Sequence, residues 1–504
     1  MAAQADALRF SDETLADRKA ESMSMKYPKI AQLKSAADFQ NRLTELEIEL
    51  PFDEQVLSAD AGSALAQPIQ LGNFTVGNRW CIHPMEGWDA NPDGSPSELT
   101  LQRWRNFGLS GAKLIWGGEA AAVQPDGRAN PGQTLGVSQN KAGLAQLRDV
   151  LLDAHRESFG RTDDLLVGLQ LTHSGRFCRP NSKTLEPRIA YHHPLLDDKF
   201  GISKDDDSVV WTDDELEQLI DAYVDAARIA ADVGYQFVDV KACHGYLLHE
   251  FLSARKRPGR FGGDFAGRTR VLRTIIERIK AEIPGLMVAV RLSIFDIPPY
   301  ITSREVGQPM SFQDLLPYEF GFGCDPLAPM QIDLTEPIQL LRELSELGVI
   351  AVNLSCGSPY YNPHIQRPAI FPPSDGYLPT EDPLVGVARQ MRVARECKMA
   401  CPEMPLVGSG YSYLQDYLPN VGQAAVRDNW IDIVGLGRMV LSYPDLPADM
   451  LSGKPQQRKK VCRTFSDCTT APRHGIVSGC YPLDPYYKVR PEAKSLKDVK
   501  ASLK

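Results

Sequence analysis

The sequence predicts an α/β fold: a (β/α)8 TIM barrel with an N-terminal extension, long insertions in its βα loops and a C-terminal tail. Three observations predict it. Eight short apolar runs recur from residue 79 onward, several of them β-branched, as suits strands buried on both faces. Helical patterns separate the runs, and that alternation gives a parallel sheet. Glycines and polar residues collect just after the runs, where a barrel gathers them at one mouth.

The runs are 79–85, 113–116, 165–171, 236–240, 287–292, 349–354, 405–408 and 431–435. Eight strand-then-helix units favour closure into a barrel over a doubly wound open sheet. The clearest helix is 212–233. Thr212 and Glu215 form a capping box, Leu216, Leu219, Ile220 and Tyr223 follow at helical spacing, and Gly234 is placed to stop it. Ser95, Pro96 and Glu98 mark a similar start before 99–109. Residues 1–66, charged and mixed, are expected to be an extension, residues 67–454 the barrel, and residues 455–504 a Cys-containing tail. Insertions 178–210 and 293–332 leave the C-terminal ends of the third and fifth strands. Long loops on that face are expected to be lids that touch substrate.

A chain of 504 residues suits one large barrel with extensions. Its net charge of −9, without a concentrated basic patch, argues against a nucleic-acid partner. No apolar stretch is long enough for a membrane span, and the first residues lack the basic start and apolar core of a secretory signal. Ten cysteines, seven of them scattered and three near the C-terminus, fit a cytoplasmic protein with reduced thiols. A small-molecule substrate is the expected partner, with room left for a homo-oligomer.

The strand ends carry the candidate chemistry. Gly408-Ser409-Gly410 and Gly435–Arg438 follow the last two runs. Glycines let backbone N–H groups approach a phosphate, and Arg438 could add a charge-assisted contact; the alternative is that they only relieve tight turns. Arg291 needs an anionic or electron-rich partner, either a cofactor or an internal salt bridge. Gln170 offers a donor and an acceptor, suited to the edge of a heterocycle or to a satisfied core amide. Lys241, His244 and Tyr246 end the fourth run.

Taken together these segments resemble the old yellow enzyme family of FMN-dependent NAD(P)H:flavin oxidoreductases, over about residues 67–450. The resemblance is carried by Asn78-Arg79…Pro84-Met85, Gly118-Glu119-Ala120…Val123, Gly168–Leu171…His173…Gly175-Arg176, His244–Leu247…Phe251–Ser253, Val290–Ser293, Val352–Ser355 and Val434-Gly435…Gly437-Arg438. It implies an eight-stranded barrel with FMN across its mouth. By that resemblance Pro84, Met85 and Ala120 would line the isoalloxazine, Gln170 would bond its pyrimidine edge, and Arg291 would sit near N1 and the C2 oxygen. Gly410, Gly437 and Arg438 would hold the phosphate, with Gly408 and Ser409 included from the reading of the glycine segment itself. His244 would bind a substrate oxygen and Tyr246 would donate a proton.

Two positions depart from the family pattern. Lys241 stands where the family usually has a His, and Glu86 stands beside the flavin where it often has Thr or Cys. Lys241 could polarise a substrate oxygen, favour an anionic substrate, or simply pair with Glu86. Longer family members hold a 4Fe–4S cluster on four cysteines. Here Cys468 and Cys480 match one spacing, Cys462 is out of place and no fourth cysteine follows, so neither a cluster nor any other metal site is expected. The tail is expected instead to pack on the barrel through Tyr481 and Tyr486. The expected activity is hydride transfer from NADH or NADPH through FMN to an unsaturated or carbonyl-containing small molecule. A flavin-dependent dehydrogenase or demethylase running oxidatively, and a non-redox barrel binding a phosphorylated ligand, are the alternatives.

Overall fold

The computed structural model describes residues 27–303 and 305–502, so the first 26 residues of the expected extension lie outside the described residues. Each of the eight apolar runs holds a strand: β1 (Trp80–Ile82), β2 (Leu114–Ile115), β3 (Leu166–Thr172), β4 (Phe237–Ala242), β5 (Met287–Ser293), β6 (Val352–Ser355), β7 (Leu406–Gly408) and β8 (Ile433–Leu436). All pair in parallel with their chain neighbours, and β8 pairs with β1, closing the ring. The strand in 79–85 stops early because Pro84 has no N–H to donate.

A short extra strand, Ala120–Ala122, runs beside the far end of β3, with Ala120 opposite Gln170. Gly117, at φ +150°, makes this possible: a Cβ there would lie 2.7 Å from the Gln170 nitrogen. The chain can therefore cross tightly over β3 and bring Ala120 to the mouth.

The barrel floor is solid. Cys81, Leu114, Trp116, Leu166, Phe237, Ala289, Ala351, Val407 and Ile433 fill it, and a hairpin of Ile69–Leu71 with Phe74–Val76 plugs it from below. Only the opposite, C-terminal mouth is left for a site.

Helix α1 spans Glu98–Gly108, α2 Lys141–Phe159 and α3 Asp213–Asp232. The Thr212–Glu215 capping box of α3 forms as read. The cap of α1 is Ser97, not Ser95, and its reciprocal partner is Thr100, not Glu98. Ser95 is taken by a turn, its hydroxyl donating to Asp93 at 2.6 Å.

Residues 27–66 lie on the barrel's flank. Phe39 stacks on Tyr417 at 4.4 Å, and Ile30, Phe39, Leu43, Leu50 and Leu65 join the barrel's own core. In the tail, Tyr481 is buried as expected but Tyr486 is 36% exposed, and Tyr487 takes its place. Both tyrosines sit on the turn Pro485–Lys488, where neighbouring residues point about 100° apart, so only one can face Tyr481.

Candidate active site

The strand ends meet at two adjoining cavities of about 230 and 210 Å³. The first is walled by Pro84, Met85, Ser409, Gly410, Gly437 and Arg438, the second by Ala120, Gln170, Lys241 and Tyr246. Glu86, His244 and Arg291 line both. Of the residues expected to touch cofactor or substrate, Gly408 alone lines neither cavity; it lies beneath Tyr411.

The wall between β3 and β5 is held by a residue the sequence reading missed. Asp239, fully buried on β4, accepts from Gln170 Nε2 and from the Arg291 backbone N–H, each at 2.6 Å. Burial pushes its carboxyl up to about 6, while the Gln170 hydrogen bond and the Arg291 charge pull it back. The bond fixes the Gln170 amide with its nitrogen on Asp239 and its oxygen turned away. Arg291 Nη1 donates to the Pro84 carbonyl at 3.4 Å, and its buried Nε has no partner among the described residues. A polar residue inside the apolar run Phe237–Val240 was the available signal for Asp239.

At the other end, Arg438 Nη2 donates to the Pro368 carbonyl at 3.0 Å, while its buried Nη1 has no partner among the described residues. Gly410 lies at φ +93°, a conformation that suits glycine. His83 sits between Asn353 at 2.9 Å and Ser409 at 3.1 Å. Burial and the Arg291 charge hold it well below the usual imidazole range, hence neutral.

The end of β4 is a compact polar cluster. Lys241 Nζ donates to Glu86 Oε1 at 2.7 Å and lies 3.6 Å from the centre of the Tyr246 ring. The Tyr246 hydroxyl donates to Glu86 Oε2 at 2.6 Å and lies 3.0 Å from the Tyr360 hydroxyl. Burial, then Glu86, raises Tyr246 well above the usual phenol value, so it stays protonated. His244, held at φ +67°, lies 2.9 Å from Ser355 Oγ; burial, then Arg291 and Lys241, keeps it neutral. Glu119 does not reach the cavities. It pairs with Arg103 at 2.6 Å and accepts from the Gly87 N–H at 3.2 Å, pinning the turn that carries Glu86.

Neither long insertion roofs the site. No described residue of 178–210 or 293–332 lines either cavity, a correction to the expected lids. The insertions pack on each other instead, His193 against Phe320 at 5.3 Å, and Arg176 anchors the first through Asp197 and Glu250. The roof comes from the loop after β6, with Tyr360, Gln366 and Arg367, and from the tail, with Cys468, Thr469, Pro472 and Arg473. Among the described residues no group of three or more His, Cys, Asp or Glu is placed to hold a metal ion.

The model of the NADH:flavin oxidoreductase / NADH oxidase family matches residues 64–314. An NADH:flavin oxidoreductase of Gibberella zeae is 25% identical over 75% of this chain and 83% of its own length. An NADH oxidase of Thermoanaerobacter brockii is 24% identical over 79% of this chain, which spans 52% of that longer protein. Among solved structures, the old yellow enzyme homologue from Zymomonas mobilis superposes with a TM-score of 0.54 at 22% identity, covering 80% of this chain and 96% of that one. At that identity the likeness is one of fold.

Proposed function

We propose, from the premise that the chain belongs to the NADH:flavin oxidoreductase / NADH oxidase family and uses FMN with NAD(P)H as reductant, that it reduces an unsaturated or carbonyl-containing small molecule. The observation that carries this reading is the set of unspent donors along the mouth. Among the described residues Arg291 and Arg438 each keep a buried N–H without a partner, and both line the cavity that Gly410 and Gly437 also line. A buried cation left so costs free energy unless an anion or an electron-rich group meets it. The residues therefore fit FMN. Gly410, Gly437 and Arg438 would hold its phosphate, Pro84, Met85 and Ala120 its ring, and Gln170 and Arg291 the polar edge of that ring. When bound, FMN supplies the hydride chemistry.

The chain's own residues then do three things. Arg291 sets a positive charge where negative charge gathers on reduction. Lys241 and the neutral His244 stand at the acceptor's side of the mouth. Tyr246 keeps its own proton, hydrogen-bonded to Glu86, ready to donate it to the substrate.

The test is spectroscopic. The purified protein is expected to be yellow or to take up FMN with flavin absorbance, and a colourless protein that binds no FMN overturns the reading. Arg438→Ala is expected to weaken FMN binding about tenfold or more, since one charge-assisted contact is worth ~1.5–3 kcal/mol. Fluorescence titration checks it, and an unchanged affinity would remove Arg438 from the phosphate site.

A further inference from the structure

The second cavity is unbalanced in charge. Lys241, Arg291, Arg367 and Arg473 line it, against the single carboxylate of Glu86. Lys241 neutralises Glu86. Arg291 faces both cavities and is taken by the cofactor edge in the reading above. Arg473, which lines only the second cavity, and Arg367, which lines both, remain.

Neither is fully satisfied. Arg367 Nη1 donates to the Thr469 hydroxyl, its Nη2 is buried without a partner, and among the described residues no carboxylate lies within ion-pair reach of it. Among the described residues Arg473 pairs only with Asp375, whose side chain is half exposed, and its own buried Nε has no partner. Its guanidinium also lies 5.7 Å from the centre of the Tyr360 ring. Burial, then Arg438 and Arg473, pushes Arg367 below its ordinary value: the guanidiniums repel one another across the site. Arg438 lines only the first cavity, Arg473 only the second, and Arg367 both, so Arg473 is the guanidinium that belongs to the second cavity alone.

We propose that the second cavity takes a substrate bearing a carboxylate, whose anionic group is held by Arg367 and Arg473, with Arg473 of the C-terminal tail setting the preference for it. Guanidinium forks match a carboxylate geometrically and stay charged when desolvated, which an amide or ketone cannot exploit. Tyr360 touches both Arg473 and the Tyr246 hydroxyl, which puts the anion site and the proton donor on the same wall of the cavity. The inference rests on the first cavity holding FMN.

The test uses the full-length, FMN-loaded protein, with benzoate and its neutral isostere benzamide as probes, each followed by the change in flavin absorbance. Benzoate is expected to bind at least tenfold more tightly than benzamide, and added salt should weaken it selectively. Arg473→Gln should remove most of that preference while the protein keeps its FMN; Arg473→Lys should keep part of it. Equal affinity for the two probes, no response to benzoate, or an undiminished preference in Arg473→Gln overturns the inference. A parent protein that binds no FMN would instead overturn the reading of the first cavity.

Discussion

Tyr246→Phe is expected to slow reoxidation of the reduced enzyme by its acceptor about 10²- to 10⁴-fold, the usual worth of a positioned acid, while its reduction by NAD(P)H stays close to the parent rate. The phenol is buried, carries its proton toward Glu86 Oε2 at 2.6 Å, and lines the cavity beside Gln170 and Arg291. Removing the hydroxyl deletes the proton source but leaves the walls that fit the cofactor. Burial and Glu86 both favour the neutral phenol, so the sign of the pH dependence follows: the step should persist as pH rises to 10, the usual phenol value, and fail only above it. Stopped-flow measurement of the two half-reactions checks both points. A parent-like second half-reaction in Tyr246→Phe, or a fall in rate well below pH 10, would give the proton to another group.

The barrel was legible because its signals are local. A strand buried on both faces must be an unbroken apolar run, and 287–292 and 431–435 could be little else between helical patterns. The Thr212–Glu215 box was legible for the same reason, since cap and partner lie within one turn. The strand-end residues of the first cavity were legible because strand ends in a barrel converge whatever the loops do; Gln366, Arg367, Cys468 and Thr469, which also line it, were not. What failed depends on contacts distant in sequence. The insertions were long and on the correct face, yet Arg176 and the His193–Phe320 contact fold them against each other rather than over the mouth. Arg473 reaches the site only because the tail packs back through Tyr481 and Tyr487, and nothing near Arg473 in the sequence announces that. The end of β6 could have been found: Tyr360 and Arg367 follow a strand end that convergence alone would have sent to the mouth.

Lys241→Met is expected to act through Glu86 and Tyr246. The two charged side chains are 4% and 13% exposed and lie 2.7 Å apart. Removing one partner of such a pair strands the other charge and costs about 3–5 kcal/mol of stability. It also removes the cation 3.6 Å from the Tyr246 ring, which would stabilise negative charge on the phenol oxygen as its proton leaves. The acceptor half-reaction should therefore slow about 10²- to 10³-fold, as for loss of one preorganised electrostatic contact, with FMN still bound. Glu86→Gln added to Lys241→Met distinguishes this from direct contact between Lys241 and a substrate oxygen. The double variant leaves no stranded carboxylate beside the phenol, so it should regain most of the lost stability and part of the lost rate. If Lys241 instead polarises the substrate itself, neutralising Glu86 returns nothing to the reaction. A double variant that melts like the parent but reacts as slowly as Lys241→Met would then place the ammonium on the substrate, and a single variant with parent stability and parent rate would make the pair dispensable.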